Sequence, residues 1–166
     1  MWYNFYVTQT YLISSSFTET ARCLDNRRLN CQIKEAFQVY RYITGQGKMQ
    51  GNPHPYRAWK GYEKCLLSYI CALHDEWIAR FDDGRRGGKR THKNGLEAEQ
   101  IVATTSFADY VQPDWITRED ILSSHRSALL YKDPFWYGQF GWSEKPAVPI
   151  KIDKKGNVTL PYVWAV

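Results

Sequence analysis

Apolar side chains recur through the middle of the chain at helical spacing. Between Arg27 and Thr44 they fall at Leu29, Ile33, Ala36, Tyr40 and Ile43, so that one face of a helix carries them all. Gly45 and Gly47 end that pattern. A second run, Trp59, Tyr62, Leu66, Tyr69, Leu73 and Trp77, predicts one long helix from about Tyr56 to Phe81, after a Gly/Pro/Asn loop between Gly45 and Pro55. Ahead of these, Ser16-Phe17-Thr18-Glu19 has the form of a capping box and predicts a short helix over Thr18 to Leu24. Asp25 or Asn26 then caps the helix that starts at Arg27. Tyr3 to Ser16 shows no period and reads as extended or irregular.

The stretch from Asp82 to Gly95 holds turn residues, cations and no apolar side chain, which predicts a basic surface loop. A short helix is expected near Leu96 to Thr105. Thr117-Arg118-Glu119-Asp120 is a second capping signal, opening a helix that carries Ile121, Leu122, His125, Arg126, Leu129 and Leu130 before Pro134 breaks it. Val148 to Ile152 and Val158 to Leu160 flank Asp153-Lys154-Lys155-Gly156-Asn157, the pattern of a small hairpin. With no repeat and no linker, the expectation is a single domain over residues 1–166, mainly α, with a small C-terminal β-hairpin.

Composition narrows the class. The 166 residues are 43% apolar and 23% charged, which fits a globular chain and excludes collagen, coiled-coil and extended disordered readings. No run approaches the roughly 20 apolar residues of a membrane span, and Met1-Trp2-Tyr3-Asn4 lacks the basic start of a secretory signal, so a cytoplasmic location is expected. Cys23, Cys31, Cys65 and Cys71 form no C-x-x-C pair and read as free thiols. A net charge of +5 and 16% aromatic residues suit a protein that attracts phosphate and stacks on bases. They suit a basic protein with an aromatic core equally well.

The chemistry concentrates on the helix after Asp25. Arg28, Gln32 and Glu35 lie at i, i+4 and i+7, on one face offset from the apolar stripe. One carboxylate then stands among cations, an arrangement that a plain solvated helix face would also produce.

Leu24-Asp25-Asn26-Arg27-Arg28-Leu29 with Lys34-Glu35-Ala36 resembles the first-helix signature of the pyrimidine-dimer DNA glycosylase (phage endonuclease V type) family. Other stretches are similar to its bacterial and phage relatives: Asn52-Pro53-His54-Pro55 with Trp59-Lys60-Gly61-Tyr62-Glu63, the run from His125 to Pro134, Phe140-Gly141-Trp142, and Leu160-Pro161-Tyr162-Val163-Trp164. The likeness spans most of the chain except Leu96 to Ile116. It implies a compact, mainly helical DNA glycosylase of a bacterial or phage-infected cell, with ultraviolet pyrimidine dimers as the default substrate and another damaged or modified pyrimidine as the alternative. It also implies AP-lyase strand cleavage by β-elimination through an amine Schiff base, with no metal and no cofactor, acting as a monomer on double-stranded DNA.

By position, the family's catalytic glutamate corresponds to Glu35. A carboxylate beside C1′ stabilises the positive charge that builds on the sugar and can later accept the C2′ proton. The family's nucleophile is the chain's own α-amino group, here that of Met1, which is partly neutral near pH 7 as an ordinary lysine is not. Thirty-four residues precede Glu35 and bulky Trp2 follows Met1, so Lys34, or a water activated by Asp25 or Glu35, stands as an alternative. Candidate DNA contacts are Arg27, Arg28, Gln32, His54, Arg57, Lys60, His125, Arg126 and Lys132, with Arg85, Arg86, Lys89 and Arg90 of the basic loop adding phosphate attraction. The aromatic run Phe135, Trp136, Tyr137, Phe140 and Trp142 could wedge into an opened base pair. Two other readings remain at this point: a non-enzymatic DNA-binding module, and an N-glycosidase acting on free nucleosides or nucleotides.

Overall fold

The computed structural model describes residues 9–48, 53–82, 91–106 and 110–166. Met1 and the basic-loop cations Arg85, Arg86, Lys89 and Arg90 lie outside the described residues. The fold is mainly α, with seven α-helices and one two-stranded hairpin among the described residues.

Helix α1 (Phe17–Cys23) starts where Ser16 Oγ accepts the Glu19 N–H at 3.2 Å. Only half of the expected capping box forms, because Glu19 accepts the Ser14 hydroxyl (2.5 Å) rather than the cap's own N–H. Helix α2 (Asn26–Ile43) is capped by Asp25, whose Oδ1 accepts the Arg28 N–H at 3.0 Å. Its stripe is buried as expected at Leu29, Ile33, Ala36 and Tyr40.

The long helix expected from Tyr56 to Phe81 is instead two, α3 (His54–Trp59) and α4 (Glu63–Phe81). Gly61 sits between them at φ +88°, a conformation that L side chains rarely adopt. Glu63 accepts the Gly61 N–H (2.9 Å) and steadies the break. The apolar spacing ran through this corner because both pieces face one core, where Trp59, Leu66, Tyr69 and Leu73 are fully buried. Helix α5 (Lys93–Thr104) begins earlier than the expected Leu96, on a His92 cap that accepts the Asn94 N–H. In its first turn, a Cβ on Gly95 would come within 2.3 Å of the His74 ring, so only glycine lets α5 lie against α4 there.

Helix α6 (Glu119–Lys132) follows a 3-10 turn at Asp114–Thr117. Thr117 does not cap it, since its hydroxyl donates back to the Asp114 carbonyl; Arg118 occupies the cap position without a side-chain capping bond. Part of the aromatic stretch after the Pro134 break forms a short α7 (Pro134–Tyr137), capped by Asp133. The hairpin is present and short: β1 (Lys151–Ile152) pairs antiparallel with β2 (Val158–Thr159), with Gly156 at φ +80° in the turn.

Helix α4 packs against α1, α2 and α5. The segment from Gln9 to Ile13 is irregular yet buried throughout. Backbone groups buried without a helix or sheet need side-chain partners, and they have them. Tyr11 N–H donates to Gln32 Oε1 (2.8 Å) and Ile13 N–H to Thr20 Oγ1 (3.2 Å), and the Leu12 backbone lies against His125 Nδ1, its carbonyl 3.2 Å away. Trp59, packed against Tyr69 and Trp115, donates its indole N–H to Thr10. This buried strap is what carries residues of α6 to the polar face of α2. All four cysteines are free thiols, and no helix among the described residues is long and apolar enough to cross a membrane.

Candidate active site

Glu35 occupies the middle of α2, on the face that meets the buried strap. Its Oε2 accepts the Gln9 backbone N–H at 3.3 Å and the Gln32 amide at 3.4 Å. Burial raises its pKa from 4.5 to about 7, against the opposing pull of the Gln9 N–H, the Lys132 charge and the Gln32 amide. At neutral pH both protonation states are therefore populated. A carboxyl in that condition can exchange a proton in either direction with little driving force, which is what acid–base work near pH 7 requires.

Two polar side chains hold the strap in place around it. Gln32 is fully buried: Oε1 accepts from Tyr11 N–H and the Tyr69 hydroxyl (3.1 Å), while Nε2 donates to the Gln9 carbonyl (2.7 Å). His125 on α6 is buried as well. With its proton on Nδ1 it donates to the Leu12 carbonyl (3.2 Å), and Nε2 accepts the Gln9 side-chain amide (3.1 Å). Burial, aided by the nearby Arg126 charge, lowers its pKa to about 4 and keeps it neutral. Both were expected to contact DNA; the structure buries both side chains and commits them to the strap, where both bond Gln9 and Gln9 bonds Glu35.

Asp25 is similarly committed. Oδ1 caps α2, and Oδ2 accepts from the Arg28 guanidinium (2.6 Å) and the Tyr137 hydroxyl (2.7 Å). Burial pushes its carboxyl up, but these hydrogen bonds outweigh it and the pKa falls below the ordinary value. An ionised carboxylate with both oxygens engaged is a poor base for activating water, so Asp25 anchors α7 to the start of α2. Arg28 in turn lies over the Tyr137 ring, 5.6 Å from its centroid.

The cations divide into two groups. Arg27 and Lys132 are exposed and Arg28 half-buried, and the charges of Arg28, Glu35 and Arg27 all act on the Lys132 ammonium. Arg126, expected on DNA, instead turns inward: it donates to Glu144 (2.6 and 2.8 Å), to Glu119 and to the Ile13 carbonyl (2.7 Å), an internal ion pair that leaves no charge to spare for a phosphate. Lys34 is exposed, and its charge is felt by His92, which is bonded to Asn30 one turn earlier on α2; it faces α5, away from the strap. On α3, Arg57 is exposed and donates to the His54 ring (2.5 Å), which stacks on Trp164 at 4.3 Å, and Lys60 is exposed at the helix end. His54 lines a groove with Gln9, Thr10, His125 and Trp164.

Sequence reasoning missed Gln9, Tyr11 and Tyr162. The Tyr11 and Tyr162 hydroxyls are 2.8 Å apart and both rings pack edge-on to His125. Burial, and more weakly the charge of Glu35, raises the pKa of both phenols. Gln9 and Tyr11 belong to an aperiodic stretch with no local signal; Tyr162 stood inside a quoted C-terminal motif without an assigned role.

Residues 9–86 match the family model described as Pyrimidine dimer DNA glycosylase. That segment holds Gln9, Asp25, Arg28, Gln32 and Glu35 and ends before α6. No curated protein matches the chain, and no solved structure does.

Proposed function

We propose, from the premise that this chain belongs by its residues 9–86 to the pyrimidine dimer DNA glycosylase family, that it excises a damaged or modified pyrimidine from double-stranded DNA with Glu35 as the catalytic carboxyl. The observation that carries this reading is a glutamate with a pKa of about 7, held at the edge of a cationic patch by a backbone N–H and a buried amide. Breaking a glycosidic bond makes the sugar positive and the leaving base negative. The ionised form of Glu35 answers the first need, and the guanidinium of Arg28 offers charge for the second. Arg27, Arg28 and Lys132 supply sequence-independent attraction for the phosphates. Ultraviolet dimers are the default lesion. Strand cleavage by an amine follows excision as a second step.

Access to a stacked base requires opening the duplex. Of the five rings between Phe135 and Trp142, Tyr137, Phe140 and Trp142 pack on one another with centroids 5.4–6.4 Å apart, and Trp136 is tied by its indole N–H to the Cys23 carbonyl (2.8 Å). Phe135 is 95% exposed. It stands on a turn fixed by Asp133, Trp136 and Tyr137, three residues after Lys132, and serves as the wedge. Phe135→Ala is expected to slow excision from duplex DNA about tenfold while leaving a single-stranded substrate within about twofold. Equal losses on both substrates would remove the wedge.

The reading as a whole is tested with end-labelled duplex, irradiated or plain, scored for base loss by hot alkali. Alkali-labile breaks only in irradiated DNA support it. Binding that weakens with salt and yields no break in either DNA would instead favour a binding module, and turnover of free nucleosides alone would favour an N-glycosidase.

A further inference from the structure

Strand cleavage by β-elimination needs an amine within reach of Glu35, and the described residues offer a specific one. On α6, Lys132 lies seven residues after His125, about 10 Å further along the same face. On α2, Arg28 and Glu35 stand at the same separation. The two helices are tied at both levels. His125 is joined to Glu35 through Gln9, with bonds of 3.1 and 3.3 Å. Tyr137, five residues beyond Lys132, meets Arg28 and Asp25. Lys132, between His125 and Tyr137 in the chain, thus lies near the level of Arg28, and its long side chain leans toward the N-terminus of α6, back toward the level of Glu35. Its ammonium interacts with the charges of both, and with Arg27 and Cys31.

We propose that Nζ of Lys132 is the nucleophile that attacks the deoxyribose C1′ between α2 and α6. The inference rests on the glycosylase reading. It concerns a residue outside the matched segment and differs from the Met1 amine and the Lys34 side chain considered from the sequence. The Nζ lone pair forms the N–C1′ bond as the C1′–N bond to the base breaks, and that bonding pair leaves with the base, which takes a proton. Opening of the C1′–O4′ bond, with a proton to O4′, leaves an iminium. Glu35 then removes the C2′ proton; the electrons form the C2′–C3′ double bond, and the C3′–O bond breaks as the 3′-phosphate departs. Water hydrolyses the iminium and restores the amine. Lys132 suits the task in two further ways. It is exposed, so a substrate can reach it. Partial desolvation together with Arg28 and Arg27 lowers its pKa below the ordinary lysine value, outweighing the opposite effect of Glu35, so more of the amine is neutral.

The test uses a duplex carrying one preformed abasic site, which needs no knowledge of the lesion, with the full chain and sodium borohydride, followed by peptide mapping of the trapped adduct. The expected adduct is on Lys132. Lys132→Arg keeps the charge and should lower trapping and strand cleavage at least about a hundredfold while duplex affinity stays within about threefold and the melting temperature is unchanged. An adduct mapped to the N-terminal amine or another lysine, or undiminished trapping by Lys132→Arg, overturns the proposal. A wild-type protein that makes alkali-labile sites in irradiated DNA yet traps nothing on the abasic duplex overturns it too, with the glycosylase reading intact. Trapping on Lys132 without action on irradiated DNA supports Lys132 and sends the dimer assignment to another base.

Discussion

Glu35→Gln is expected to cut base excision about a thousandfold while leaving duplex affinity within about threefold, and to make the protein more stable at alkaline pH. The first effect follows from losing the ionised charge beside C1′; strand cleavage falls with it, because the acceptor for the C2′ proton is lost as well. The second follows from linkage. The folded carboxyl has a pKa of about 7, raised from 4.5, so between those values the folded state holds a proton that the unfolded state has released. Stability is complete below about pH 4.5 and is lost as pH rises through about 7. At about 1.4 kcal/mol per pH unit the ceiling on that loss is about 3 kcal/mol, reduced by the solvent contact Glu35 retains. Glutamine carries no such cost. Melting curves at pH 5 and pH 8 should therefore show the variant gaining on the wild type only at the higher pH. In the wild type, excision should climb as pH passes through about 7, where the carboxylate becomes the dominant form. Retained turnover by Glu35→Gln would remove Glu35 from the chemistry, and a melting difference independent of pH would show that its proton is not held as described.

Gln32→Leu is expected to have the largest effect on the fold. Leucine has nearly the right volume, so the change tests hydrogen bonding rather than packing. It leaves the Tyr11 N–H and the Gln9 carbonyl, both buried, without their side-chain partner. Each such loss costs about 1–3 kcal/mol, for a total near 3 kcal/mol and a fall of roughly 10 °C in melting temperature at this chain length. Activity should fall as well, about tenfold, because Gln9 carries the N–H that addresses Glu35. Tyr69→Phe makes the comparison: it removes the hydroxyl that lies 2.7 Å from the Tyr11 carbonyl and 3.1 Å from Gln32 Oε1, while Oε1 still holds the Tyr11 N–H. Calorimetry on the pair decides the point. If Gln32→Leu melts within about 1 °C of wild type, the buried amide is not what organises the strap.

Much of the helical framework was legible because its signals are local. The Leu29, Ile33 and Ala36 stripe, the Ser16 and Asp25 caps and the Gly156 turn depend on neighbours a few residues away, and α1, α2 and the hairpin formed within a residue or two of their expected ends or inside them. The boundary errors share one cause. A continuous apolar period does not reveal a corner when both sides of it serve one core, so α3 and α4 were read as one helix. The corner was written in Gly61 alone. Thr117 looked like a cap by residue type, but the 3-10 turn before α6 claimed its hydroxyl.

For the candidate site the division is sharper. Arg28, Gln32 and Glu35 were found together because one helix places positions i, i+4 and i+7 on one face, whatever the rest of the chain does. Polarity did not say which of them meets solvent. Gln32 and His125 went inward because an irregular buried strap needed acceptors and donors for its backbone. Arg126 went inward because Glu144 and the Ile13 carbonyl, from two other parts of the chain, were brought to it beside Glu119 of its own helix. The sequence by itself determined the helices, the polar face of α2 and the presence of a carboxylate among cations, since helical period and capping act over a few residues. Only the tertiary structure decided that Gln9 reaches across 26 residues to Glu35 and 116 residues to His125, because burial and the pairing of buried polar groups depend on which distant segments share the interior.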